Sequence, residues 1–272
     1  MENSARMTNH VTSKDGTPIA YACQGSGPAV ILVGGGLDDG SENAPLATEL
    51  ARHFTVYNYA RRGRGDSGDT LPYSVEREIE DIEALIAEAG GSAHLVGVST
   101  GGALVLEATA AGIASDKLAV YDVPYNMADD WPQRWREYTE ELGQLLAEGR
   151  RGDALELFMR LAGSSEEDIV GAKNSPFWPG LGAIAHTLAY DAACLGNAQP
   201  PTARLAKITR PTLVATGSAR PPGAASWVLA LDRAADAIAA SIPHAQRQAL
   251  EGQTHVADPK ALARVLERFF RD

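Results

Sequence analysis

The sequence predicts an α/β fold, in which a mostly parallel central sheet is covered by helices on both faces and interrupted by a helical insertion. Three observations carry this. Short apolar runs alternate with amphipathic runs along most of the chain, the order that builds parallel strands joined by crossover helices. A Gly-x-Ser-x-Gly pentapeptide at 97–101 falls between an apolar run and a helical one, a strand-to-helix turn pattern. The alternation breaks between residues 124 and 207, where the pattern turns helical and rich in large aromatics.

Each element follows in order. Runs 19–24 (IAYACQ) and 29–33 (AVILV) read as strands separated by the turn GSGP, and 54–59 (FTVYNY) as another. In 75–90, Val75, Ile79, Ile82, Leu85 and Ile86 recur at helical spacing, with charges expected on the other face and Gly90 as the stop. HLVGV at 94–98 is a short strand and GALVLEATAAG at 102–112 a buried helix. Strands are expected at 117–122 (KLAVYD), 211–216 (PTLVAT) and 246–251 (QRQALE). The final helix spans 259–271, with Asp258 as N-cap and Pro259 in the first turn. The core is therefore expected at 1–123 and 208–272. The insertion at 124–207 holds Trp131, Trp135, Tyr138, Phe158, Phe177, Trp178 and Tyr190.

The composition sets limits on partners. The 272 residues carry a net charge of −11, with 44% hydrophobic and 22% charged residues. Such a chain builds a packed core, and its acidity opposes phosphate backbones and anionic lipid, so neither nucleic acid nor membrane is an expected partner. Cys23 and Cys194 lie far apart in apolar or helical surroundings and are expected to be buried free thiols, with no metal-ligand spacing. The N-terminal residues are polar, without the apolar stretch of a signal peptide, so a cytoplasmic protein is expected. His10 is read as part of an N-terminal tail.

The pentapeptide GVSTG is the motif that carries chemistry. A turn tight enough to expose Ser99 at the carboxyl edge of a sheet forces strained backbone angles on it, and Gly97 and Gly101 are small because neighbouring side chains would clash. Together with VGGGL (33–37), RRGRGDSG (61–68) and EGQTHVADP (251–259), it makes nearly the whole chain resemble the α/β-hydrolase fold family. The resemblance implies that 124–207 is a cap over the active site. Two positions depart from the family pattern. Gly34 replaces a common histidine and Ala60 a common aspartate, changes that bear on loop rigidity more than on chemistry.

The resemblance also implies a base. Of six histidines, His53 and His94 sit at strand entrances, His186 lies in the insertion and His244 precedes the last strand. His255 follows a strand's carboxyl end, beside the nucleophile. The oxyanion donors expected are the backbone N–H groups of Gly36 and Thr100. The acid is the unusual element. Most relatives place it after the seventh strand, but here that turn reads TGSARPPG, without a carboxylate, and Asp232 and Asp236 lie well into the next helix. Arg220 accepts no hydrogen bond from an imidazole. The sixth strand ends in Asp122, and some family members, lactone hydrolases among them, carry their acid there. Asp129 and Asp130 lie further into the insertion.

The resulting expectation is a Ser99–His255–Asp122 hydrolase of an ester, lactone or related acyl bond, working through an acyl-enzyme and without cofactor or metal. Leu37, Tyr125, Trp131, Trp135 and Tyr190 are candidate contacts to a small, apolar or bulky acyl substrate, and a homodimer is possible. His186, Tyr190 and Asp191 are more simply helix-stabilising residues. Two other functions stay open: a biosynthetic thioesterase, cyclase or elimination enzyme acting on a bulky natural product, and a ligand-binding pseudoenzyme. Dehalogenase or epoxide-hydrolase chemistry is disfavoured, because family members of that kind use aspartate where this chain has Ser99.

Overall fold

The computed structural model describes residues 9–220 and 226–272. Residues 1–8 of the expected tail, and Pro221, Pro222 and Gly223 of the turn after the seventh strand, lie outside the described residues. The strands are β1 (Asn9–Thr12), β2 (Pro18–Gly25), β3 (Ala29–Val33), β4 (Thr55–Tyr59), β5 (Ala93–Val98), β6 (Ser115–Tyr121), β7 (Thr212–Gly217) and β8 (Gln246–Leu250). The core helices preceding the insertion are α1 (Ala44–Leu50), α2 (Val75–Glu88) and α3 (Thr100–Ala110). The insertion contributes α4 (Trp131–Ala147), α5 (Arg151–Leu161), α6 (Glu166–Lys173), α7 (Trp178–Ile184), α8 (Leu188–Leu195) and α9 (Thr202–Leu205). Two core helices follow, α10 (Ser226–Ser241) and α11 (Pro259–Arg271).

The strands form one sheet in the order β1-β2-β4-β3-β5-β6-β7-β8. From β3 onward every pairing is parallel, and the β1–β2 and β2–β4 pairings are antiparallel. His10 is therefore a strand residue opposite Ala20 rather than part of a tail. Its four-residue strand is mostly exposed, so no apolar alternation marks it in the sequence. Helix α1 likewise has too few buried positions to stand out.

The central strands β3, β5 and β7 are nearly continuous buried runs because both faces are covered. Alternate residues go to opposite cores. Ile31, Val33, Leu95, Leu118, Val120 and Val214 face a core that continues into α2, α3, the insertion and α10. Val30, Leu32, Val96, Ala119, Leu213 and Ala215 face a smaller one closed by α1 and α11. On α11, Leu262, Leu266, Phe269 and Phe270 are buried, and Asp258 accepts from Ala261 N at 2.8 Å to cap it.

Two expectations fail for identifiable reasons. Cys23 is exposed, because it falls on the half-covered end of β2, while Cys194 is buried. Glu78 and Asp81 of α2 are buried on its inner face instead of solvated, since they pair with Arg61 and Arg62, whose guanidiniums are also buried. Such charges stay inside only when paired.

The core on the α1/α11 side predicts its own weak point. Leu266→Ala removes a side chain that is 1% exposed and is expected to cost about 2–5 kcal/mol, lowering the melting temperature by roughly 5–15 °C in a thermal scan. A shift within about 2 °C would mean that this face is not a rigid core.

Candidate active site

The site begins with β5, which delivers Ser99 to the carboxyl edge of the sheet. Ser99 has φ 54° and ψ −126°, a conformation that a non-glycine residue adopts only when its surroundings impose it. Ser99 N donates to Tyr121 O on β6, and Gly102 N donates back to Ser99 O, both at 2.9 Å. A Cβ on Gly97 would sit 2.5 Å from Gly102 Cα, and one on Gly101 would overlap the Val33 and Gly34 carbonyls. The glycines are therefore required by contact, as the motif predicts. Thr100 opens α3, so its N–H stands at a helix N-terminus next to the serine.

β3 runs beside β5 in parallel, and its loop passes over the serine. A Cβ on Gly35 would lie 3.1 Å from Ser99 Cβ. Gly35, Gly36, Ser99, Thr100 and His255 line one cavity of about 360 Å³.

Asp122 continues β6 with φ 49°, its N–H donating to Ala215 O at 3.0 Å. Its side chain is wholly buried. One carboxylate oxygen accepts from Gly217 N at 3.1 Å, and the other stands 3.2 Å from His255 Nδ1. A carboxylate is an acceptor only, so Nδ1–H donates and Nε2 carries the free lone pair. The loop bearing His255 is pinned from below. Ala219 N donates to Gln253 O at 2.8 Å and Tyr121 Oη to Thr254 O at 2.5 Å. The imidazole packs edge-on against Trp227, with ring centroids 4.8 Å apart.

Arg220 turns away from the imidazole. Its guanidinium donates to Gly217 O and Ala219 O and pairs with Asp232 at 2.9 Å. Asp232 is also held by Arg247 and Thr216. The described part of the turn after β7 thus contributes a backbone N–H to Asp122 and no carboxylate to His255.

The insertion supplies the rest of the wall. Trp131, Trp135, Tyr138 and Phe158 line the cavity, together with Trp227 of α10. Trp135 Nε1 donates to Gly196 O at 2.9 Å, leaving its ring face as the apolar surface. Three other candidate contacts do not line the cavity. Tyr125 is buried in the core beneath the insertion. Leu37, with φ 59°, packs on the same core from the glycine loop. Tyr190 stacks on Tyr73 with centroids 3.7 Å apart and donates to Asp69 at 2.9 Å. His186, 3.1 Å from the same Asp69, belongs to that cluster.

Asp191, set aside as a helix residue, does line the cavity, as do Asp38 and Glu42. Burial raises the pKa of Asp38 and of Glu42, and the neighbouring carboxylates raise that of Glu42 further. Burial also pushes the Asp191 carboxyl up, but the charges of Arg64 and Arg61 outweigh it and hold the group below the usual carboxylate range. Among the described residues, no lysine or arginine lines the cavity. Among the described residues, no helix is long and apolar enough to cross a membrane.

Comparison with known proteins agrees with this architecture. Residues 29–265 match the model of the alpha/beta hydrolase family. A crystal structure of an alpha/beta hydrolase from Sphaerobacter thermophilus DSM 20745 is 47% identical, with a TM-score of 0.85 over 96% of this chain and 100% of that one. A pimeloyl-[acyl-carrier protein] methyl ester esterase from Xanthomonas campestris is 34% identical over 141 residues, 50% of this chain and 54% of the relative. An uncharacterized hydrolase, YraK, from Bacillus subtilis is 32% identical over 105 residues, so the chain spans only 39% of that relative's length. The enol-lactonase from Burkholderia xenovorans LB400, 19% identical, shares the fold with a TM-score of 0.71 over 97% of this chain and 100% of that one. The chain belongs to the alpha/beta hydrolase family.

The packing of the site makes Gly217 critical to it. A Cβ there would lie 2.6 Å from Tyr121 Oη and would overlap the Gln253 carbonyl. Gly217→Ala is expected to displace the His255 loop and to lower turnover by more than about 10-fold, while far-UV circular dichroism keeps its native shape. Unchanged turnover would show that this loop tolerates repositioning.

Proposed function

We propose that this hydrolase is a serine enzyme that cleaves an uncharged, largely apolar ester or lactone through an acyl-enzyme. The observation that carries the reading is the buried Asp122 carboxylate 3.2 Å from His255 Nδ1, on a histidine that lines the same cavity as Ser99. A serine hydroxyl needs a base to become a nucleophile. His255 Nε2 takes the Ser99 proton as Oγ attacks the carbonyl carbon, and Asp122 holds the ring in the required tautomer and stabilises the imidazolium. The Gly36 and Thr100 N–H groups receive the negative charge on the carbonyl oxygen. The imidazolium then protonates the leaving alcohol. Water, deprotonated by the same nitrogen, releases the acid and frees Ser99.

The substrate class follows from the wall. An indole-rich surface favours an apolar group. Among the described residues the lining has no lysine or arginine, so it offers an anionic substrate no ion-pair partner beside the Asp38, Glu42 and Asp191 carboxyls. The methyl ester named for the Xanthomonas relative supports ester chemistry.

A fluorophosphonate probe is expected to add its phosphonyl group to Ser99, located by peptide mass spectrometry, and Ser99→Ala to lose both labelling and turnover. A folded, active Ser99→Ala enzyme would refute the mechanism. Asp122→Asn is expected to reduce kcat by about 10⁴-fold. Near-normal kcat would assign the acid elsewhere. In a panel of p-nitrophenyl esters, uncharged acyl chains are expected to exceed chains of equal length ending in a carboxylate by at least about 10-fold in kcat/KM. The reverse order would overturn the substrate class. Product mass separates hydrolysis, which adds one water, from cyclisation or elimination.

A further inference from the structure

Three consecutive glycines have no side chains with which to fix their own peptide planes. In the loop after β3 those planes are held from outside. Arg64 Nη1 donates to Gly35 O at 2.5 Å, and Arg61 Nη1 to Gly34 O at 3.4 Å. Both guanidiniums are buried. The same two side chains donate to Asp191 Oδ1, Arg64 through Nη2 at 2.8 Å and Arg61 through Nη1 at 2.7 Å. Thr100 Oγ1 donates to that oxygen too, at 2.8 Å. A single carboxylate oxygen thus gathers two arginines gripping the glycine loop and the hydroxyl of the residue after Ser99. Asp191 sits on α8, within the insertion.

The direction of one N–H follows from peptide geometry. The Gly35–Gly36 bond is trans, so its C=O and N–H point to opposite sides of a plane that resists rotation. With Gly35 O fixed on Arg64, the Gly36 N–H is turned the other way, toward the cavity that Gly36 lines. The guanidinium also polarises this amide and strengthens its N–H as a donor. The grip is electrically balanced, because Glu78 takes the far side of Arg61 at 2.7 Å, leaving two cations against two anions. A Cβ at position 36 would press on the same carboxylate, 3.3 Å from Asp191 Oδ2.

We propose that Arg64 and Asp191 are positioning residues that aim the Gly36 N–H at the developing oxyanion, so that seating of α8 in the insertion is a condition for full turnover. This rests on the ester-hydrolase reading for its catalytic consequence but not for the existence of the clamp. The experiment therefore has two arms, both on the full-length protein.

Arg64→Lys keeps the charge, but a point ammonium does not span Gly35 O and Asp191 Oδ1 as a guanidinium fork does. Asp191→Asn is the second variant. In the first arm, amide hydrogen exchange read by mass spectrometry is expected to rise by about 10-fold or more in peptides covering 33–38, with β5 and β6 unchanged. In the second, kcat on a p-nitrophenyl ester is expected to fall about 10- to 100-fold with KM within about 2-fold, the pattern of a contact made only in the transition state. Affinity for a trifluoromethyl ketone, whose adduct carries the oxyanion, is expected to fall in parallel. Native exchange in a folded Arg64→Lys protein overturns the clamp. Faster exchange with native kcat, or a loss confined to KM, overturns its positioning role. If the wild type neither turns over esters nor takes the fluorophosphonate, the ester-hydrolase reading and the catalytic role fall together, and the exchange arm alone decides whether the clamp exists.

Discussion

The strained serine at the end of β5 is the constraint around which the rest of the site is arranged. A non-glycine residue at φ 54° carries a local cost of about 1–3 kcal/mol, and it stays there because its neighbours leave no alternative. Its N–H is taken by β6 and its carbonyl by the first turn of α3. The β3 loop passes close above, so that a Cβ on Gly35 would press on the serine, 3.1 Å from Ser99 Cβ. Strand order does the remaining selection. Because β5 lies between β3 and β6, the loops after β3 and β6 flank the serine on either side. One brings the glycines and the other Asp122. Sites at the carboxyl ends of parallel strands arise from this kind of convergence.

Placing the carboxylate on β6 changes what the end of β7 must do. The His255 loop leaves β8 and has to cross β7 to meet Asp122. An acid on β7 would meet the histidine without that crossing. Here the β7 turn acts as a bridge: Gly217 N–H goes to Asp122, Ser218 N–H to the Leu250 carbonyl at the end of β8, and Ala219 N–H to Gln253 O in the loop that carries His255. Arg220 closes the bridge by capping the turn's carbonyls and leaning on Asp232. A cation directly after the bridge would repel the imidazolium formed during turnover if it faced the ring. Its pairing with Asp232 directs it elsewhere.

The parts legible in the sequence are those whose information is local or topological. GVSTG is legible because a tight turn forces small residues within five positions. Asp122 is legible because it ends an apolar strand run, and His255 because it follows the carboxyl end of the last strand, at the same edge of the sheet. The illegible parts depend on which distant residue arrives opposite. Arg61 and Arg64 lie in a loop whose sequence names no partner for them, and their shared partner Asp191 lies 130 and 127 positions away. Glu78 and Asp81 read as the polar face of α2 for the same reason, since only an arriving guanidinium makes their burial tolerable. Trp131 and Trp135 reach the cavity and Tyr125 and Tyr190 do not. Residue type does not separate these cases; the docking angle of each helix does.

The tie between insertion and core is ionic, and its physical value lies in direction more than in strength. Desolvating two guanidiniums and two carboxylates offsets most of their attraction, so apolar packing would hold α8 at least as firmly. Apolar contacts, however, are non-directional and tolerate sliding. A guanidinium fork shared between Asp191 and the Gly35 carbonyl fixes both distance and angle. A shift of α8 away from that geometry strands a buried charge, a penalty of several kcal/mol. The arrangement therefore has few intermediate states: with α8 docked the loop is aimed, and with α8 displaced the loop loses its anchor. Tyr190, stacked on Tyr73 and bonded to Asp69 one residue before Asp191, braces the same helix against core residues on its outer side. Two adjacent residues of α8 thus face different tasks, Asp191 toward the cavity and the buried Tyr190 into the cluster with Tyr73, Asp69 and His186, which is why Tyr190 lies off the cavity wall although its neighbour lines it.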